Sequence, residues 1–187
     1  MIMKQFFNRW RKYLKLSPDA ESCLLQQAER RKYHADERLI INDKHPPCLY
    51  IIQKGMAFGY MEYDEGDRIP WLAKPMESLT QAFDDIGPYY YATYTLQLAT
   101  DTTIWCLPIA HLKDTIKTYP RVQELLSLLT DLEIERCRRH IDVLQQRTVY
   151  HRYVALLEVS PEVALLTPSS FQAAYMGVSQ SSYYRAK

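Results

Sequence analysis

Glycine is scarce, 5 residues in 187, and none falls into a GxGxxG, GxxxxGK[ST] or GxSxG arrangement. Phosphate-cradling loops and nucleophile elbows need glycines at those spacings, so the usual machinery of nucleotide cleavage and acyl transfer has no seat. The 4 cysteines, Cys23, Cys48, Cys106 and Cys137, are too scattered for a zinc knuckle or an iron–sulfur run and read as structural thiols. The 5 histidines form no HxH or HExxH pair, the least that a cupin or zincin metal site requires. Neither a metal nor another cofactor is expected, and an enzyme is not. Apolar runs last only a few residues, far short of the about 20 of a membrane-spanning helix. The first ten residues mix Lys4 and Arg9 with Phe6, Phe7 and Trp10 and lack the apolar core of a secretory signal. A cytosolic chain with no membrane partner is the expectation.

What is present is ordinary for a folded chain, 47% hydrophobic and 24% charged residues, which excludes disorder and low complexity. The net charge of +1 conceals a division. Residues 1 to 38 hold nine Lys/Arg against five Asp/Glu, residues 39 to 118 six against ten, and residues 119 to 187 eight against seven, giving +4, −4 and +1. After Glu162 only Arg185 and Lys187 are charged, so composition by itself does not announce a nucleic-acid partner.

Residues 3 to 15 space Phe6, Phe7, Trp10, Tyr13 and Leu14 as one face of a helix that docks on the chain's own core rather than on a membrane. Ser17 and Pro18 then cap and open a second helix reaching about Arg31. From about Tyr33 to Leu107 the hydrophobic period falls toward two, in short runs separated by turn residues, with hairpin-like connections at Lys54-Gly55 and residues 64 to 67. This predicts a small antiparallel barrel or jelly roll, interrupted by a short embedded helix over residues 76 to 83. Pro108 and Tyr119-Pro120 start two more helices, the second running to about residue 146. On it Val122, Leu125, Leu129, Leu132 and Ile141 recur near three-and-four spacing. The stripe predicts a homodimer seam ahead of intramolecular packing. Three short helices follow, over residues 149 to 159, 169 to 176 and 180 to 187. Between the last two, Gly177-Val178-Ser179 has the grammar of a helix-turn-helix: a glycine free to take positive φ, an apolar residue facing inward, and a serine cap. The fold class is thus α+β, with an effector-type unit over residues 1 to 118, a dimerisation helix over 119 to 146 and a helix-turn-helix unit over 147 to 187.

This order resembles the Crp/Fnr superfamily of bacterial transcription regulators over nearly the whole chain, and most closely their short Bacteroidetes-like variety. The resemblance is carried by Leu49-Tyr-Ile-Ile-Gln-Lys-Gly55, by Asp64-Glu-Gly66, by Ile104-Trp-Cys-Leu-Pro108 ahead of Tyr119-Pro120, and by residues 173 to 185, Ala-Ala-Tyr-Met-Gly-Val-Ser-Gln-Ser-Ser-Tyr-Tyr-Arg. It implies a DNA-binding homodimer whose roll receives a small-molecule effector of unknown identity. Nucleotide-binding members place a Gly-Glu pair and an Arg-Ser or Arg-Thr pair around the cyclic phosphate. Here Gln81-Ala82 and Ala92-Thr93 stand there, and no arginine lies between Arg68 and Arg121, so cyclic AMP is not expected to bind. Trp71, Gln81, Ala82, Thr93 and Tyr94 are the effector-pocket residues, or else the side chains that fill the roll themselves. For DNA the resemblance points to Ser179, Gln180, Ser181, Ser182, Arg185 and Lys187. Gln180 suits adenine, Arg185 guanine, and the serines phosphates. The rival expectation is a regulatory or scaffolding module whose helix-turn-helix, lacking the family's usual charged pair at Gln180-Ser181, no longer holds DNA.

Overall fold

The computed structural model describes residues 2–39, 47–60, 69, 71–80 and 95–187. Two helices open the chain, α1 (Ile2–Trp10) and α2 (Pro18–Gln27). The Ser17 hydroxyl accepts the Ala20 N–H at 3.2 Å, which caps α2 ahead of Pro18. Phe6, Phe7 and Leu14 are buried, as a docked aromatic face requires, whereas Tyr13 is exposed.

Among the described residues eight strands follow: β1 (Glu29–Tyr33), β2 (Arg38–Leu39), β3 (Cys48–Lys54), β4 (Ala57–Tyr60), β5 (Leu72–Ala73), β6 (Ser78–Thr80), β7 (Thr95–Leu98) and β8 (Thr102–Pro108). They form two four-stranded sheets, in the orders β1-β8-β3-β6 and β2-β7-β4-β5, and the pairs are antiparallel. Leu39, Ile52, Leu79, Leu96, Leu98 and Ile104 meet between the sheets in a two-layer core.

The structure departs from the periodicity at three places. The second helix stops at Gln27, because Glu29 to Tyr33 pair with Thr102 to Cys106 and gain a ladder that a helix end would forgo. Lys54-Gly55 joins β3 to β4, which lie in different sheets, so it is a crossing between layers and not a hairpin. There Gly55 has φ +87°, and a Cβ would approach the Thr102 hydroxyl to 2.4 Å, so only glycine fits. Ser78 to Thr80 form a strand against Leu49 to Ile51, where the embedded helix was expected to begin. The rest of that helix, and the turn at residues 64 to 67, lie outside the described residues.

The helical half comprises α3 (Ile109–Thr118), α4 (Arg121–Leu144), α5 (Val149–Val159), α6 (Pro161–Leu166), α7 (Ser169–Tyr175) and α8 (Gln180–Ala186). Helix α6, with Pro161 in its first turn, was not anticipated from the sequence. Val122, Leu125 and Leu129 do not face outward. They pack with Phe6, Leu24, Ile51 and Leu112 in a core joining α1 to α4 and the outer face of the first sheet. A third core joins Met56, Phe58 and Leu72 of the roll to Val143, Leu156, Phe171, Met176 and Tyr183. The carboxy-terminal helices are therefore packed on the roll.

Candidate nucleic-acid interface

Helix α7 must end where α8 can begin, which leaves its last carbonyls without helical partners. Four side-by-side acceptors find donors. The Val178 N–H reaches the Ala173 carbonyl at 3.0 Å and the Gly177 N–H the Ala174 carbonyl at 3.1 Å, a Schellman turn whose glycine takes φ +63°. His140 of α4 meets the Tyr175 carbonyl through Nε2 at 2.7 Å, so that nitrogen carries the proton, and its ring stacks on the Tyr175 ring at 4.0 Å. Arg152 of α5 donates to the Met176 carbonyl at 3.0 Å. The turn is thus fixed by its own backbone and by two neighbouring helices.

Gln172 ties the motif together from inside. Its amide donates to the carbonyls of Thr167 at 2.9 Å and Ala164 at 3.3 Å, and its Oε1 accepts the Tyr183 hydroxyl at 2.6 Å. Every partner belongs to the α6–α7–α8 unit, so a buried amide is satisfied rather than costly. Tyr183 is 1% exposed and is the inward anchor of α8. Sequence reasoning overlooked Gln172 and His140. Their only signal is a polar residue at a buried helical phase, which becomes legible once the phase is known.

With Tyr183 inward, the opposite face of α8 presents Gln180, Ser181, Tyr184 and Arg185 to solvent. Ser179 is exposed, yet its hydroxyl is engaged as the cap of α8, accepting the Ser182 N–H at 3.2 Å and lying 2.9 Å from the Ser182 hydroxyl. Arg185 Nε donates to the Ser181 carbonyl at 3.3 Å, holding its guanidinium along the helix. Lys187 lies 5.7 Å from the Tyr183 ring centre. The structure brings the six sequence-derived residues into one turn and one short helix. Tyr184, 63% exposed beside Arg185, is an addition.

Trp71 is buried in the inter-sheet core, and a Cβ on Gly59 would stand 2.7 Å from its ring. It is filling space. Gln81, Ala82, Thr93 and Tyr94 lie outside the described residues. On α4 the anticipated seam divides: Val122, Leu125 and Leu129 are buried in the chain, Leu132 is half-buried, and Ile141 is 48% exposed with Ile134 at 47% and Cys137 also exposed. Among the described residues no three His, Cys, Asp or Glu side chains are grouped to hold a metal ion, and no helix is long and apolar enough to cross a membrane.

No family model and no curated protein matches the sequence. Solved structures do resemble it. A candidate transcriptional regulator of the Crp/Fnr family from Eubacterium rectale superposes with a TM-score of 0.74 at 14% identity, over 97% of this chain and 85% of that one. FixK2 from Bradyrhizobium japonicum gives 0.69 at 20% identity, over 85% and 82%. The c-di-GMP-responsive global regulator CLP of Xanthomonas campestris gives 0.68 at 16% identity, over 91% and 89%. The chain has the α+β fold of the Crp/Fnr regulators, with its cyclic-nucleotide-binding-like roll and its helix-turn-helix.

Proposed function

We propose that the protein is a transcription regulator of the Crp/Fnr type, a regulator rather than an enzyme, which binds DNA as a homodimer through α8. The observation that carries this is the helix-turn-helix itself: a glycine turn with four paired carbonyls, a capped second helix, a buried Tyr183, and Gln180, Ser181 and Arg185 on the free face. Such a face fits the major groove, where Gln180 can pair with adenine and Arg185 with guanine. The division of the chain into effector, dimerisation and DNA-binding units is part of the proposal. The roll is read as unresponsive to cyclic AMP, because Ala82 and Ala92 replace the acid and the cation that a cyclic phosphate requires.

The dimer seam proposed is the outer face of α4, Ile134, Cys137 and Ile141, which recur at i, i+3 and i+7. In a parallel pair Cys137 meets the partner subunit's copy of itself across the axis. Mild oxidation is expected to yield a covalent dimer that Cys137→Ser abolishes. Selection from random duplexes tests the DNA arm. An enriched motif should emerge, and Arg185→Ala should weaken it by about 1 to 3 kcal/mol and relax one base pair. Lys187→Ala should weaken all sequences alike. A selection without enrichment, with Arg185→Ala binding no worse than the parent, would move the assignment to a scaffolding module.

A further inference from the structure

A cavity of about 240 Å³ lies where α1, the turn between β5 and β6, α4, the α5–α6 junction and α7 converge. We propose that it binds a small organic acid, one carboxylate on a compact apolar body.

Charge sets the first requirement. Among the described residues Arg9, Lys74, Arg136 and Arg139 line the cavity against Glu77 and Glu133, four cations against two carboxylates. Lys74 and Arg139 are partly answered from outside, by Glu162 at 3.3 Å and Glu135 at 3.2 Å. Arg136 is the most enclosed of the four, at 17% against 30% for Lys74 and 57% for Arg139, with Arg9 exposed. It donates through Nη1 to the Ser78 carbonyl at 3.1 Å, with Glu77 at 3.6 Å and Glu133 no closer than 3.9 Å. Its Nε is buried and makes no hydrogen bond. That Nε is closed to a ligand, whereas Nη2 makes no hydrogen bond and has Glu133 at 3.9 Å, which leaves a donor for one incoming carboxylate.

The remaining wall sets the second requirement. Leu72, Met76, Leu132 and Val159 supply carbon, and Tyr175 adds a phenol kept neutral by its burial. An apolar cavity of about 150 Å³ holds benzene, so this one has room for a ring with a short acid arm. At 100° per residue, Leu132, Arg136 and Arg139 lie on the side of α4 away from Ile134, Cys137 and Ile141, so the cavity stays open in the proposed dimer. It is also separate from the interior of the roll, and its binding can be measured without DNA.

The test is calorimetric titration of the full chain with 3-phenylpropionate and with its neutral amide. Saturable one-to-one binding of the acid is expected, with the amide at least about tenfold weaker, equivalent to about 1.4 kcal/mol. Arg136→Gln should erase the preference for acid over amide, and Arg136→Lys should restore part of it. Leu132→Phe fills the cavity without touching charge and should abolish binding in a protein with unchanged circular dichroism. Lys74→Gln, at the rim, should weaken the acid several-fold should Arg136→Gln fail to fold. Absence of saturable heat, equal binding of acid and amide, or full binding by folded Leu132→Phe would each overturn the proposal.

Discussion

The two halves of α4 carry similar numbers of apolar residues and put them to different uses. From Val122 to Leu129 they face inward and are buried with α1, α2 and α3. From Ile134 to Ile141 the inward line is taken by Arg136 and His140, followed by Val143, while Ile134, Cys137 and Ile141 lie outward. The inward line, Leu132, Arg136, His140 and Val143, continues the helical phase of Val122, Leu125 and Leu129. Residues 137 and 141 are each rotated by about 100° from it. A hydrophobic stripe on a long helix therefore does not report one interface. Where polar residues take the buried phase, apolar ones on a neighbouring phase become available to a second surface.

The comparison breaks most sharply at Leu125. Leu125→Glu puts a carboxylate into the core that joins the amino-terminal helices to the roll and should cost at least about 4 kcal/mol, read as loss of a cooperative melt. Ile134→Glu with Ile141→Glu should leave the circular dichroism unchanged while sedimentation shifts to monomer, and Cys137 should then alkylate faster than in the parent. Cys48 and Cys106 should stay unreactive in both, since burial pushes the Cys106 thiol up to about 12 and raises Cys48 as well. Tyr183→Phe removes the donor to Gln172 and should lower stability by about 1 to 3 kcal/mol in a denaturant titration, leaving sedimentation unaltered. The smallest effect is at Lys74. Glu162 is held below the ordinary carboxylate range, first by its own backbone N–H and then by Lys74, so its contribution is present above that range and lost as pH falls through the lowered value. With Glu162 46% exposed, Lys74→Gln should move the neutral melting temperature by about a degree and the strongly acid one not at all.

The sequence made some elements legible because one local rule governed each. Ser17-Pro18, Tyr119-Pro120 and Gly177-Val178-Ser179 set helix ends through capping, fixed φ and a positive φ, and the structure keeps all three. What escaped local rules was decided by partners distant in the chain. Glu29 to Arg31 continue a helical pattern until β8 offers a ladder, and Ser78 to Thr80 gain a strand only because β3 lies alongside. At the candidate interface the outward residues followed from helical spacing, whereas Gln172, His140 and Arg152 hold the motif through contacts across 11 to 35 positions. The stripe on α4 was legible but its division between inward and outward faces was not, because Leu132 and Cys137 could both be read as its continuation.

The two carbonyls that close α7, those of Tyr175 and Met176, are held by His140 and Arg152 and, among the described residues, not by any residue of the roll. Gly177 follows at once, so the direction in which α8 leaves the turn is referenced to α4 and α5. Mechanically, α8 is mounted on a bracket bolted to the long helix, with the roll pressing on its flank, Phe58 meeting Phe171 at 4.6 Å. In the proposed symmetric pair joined along α4, the gauge between the two copies of α8 is therefore cut by the same helix that joins the subunits. A disturbance in the roll reaches that gauge by displacing α4 or through the core in which Met56, Phe58 and Leu72 meet Phe171 and Met176.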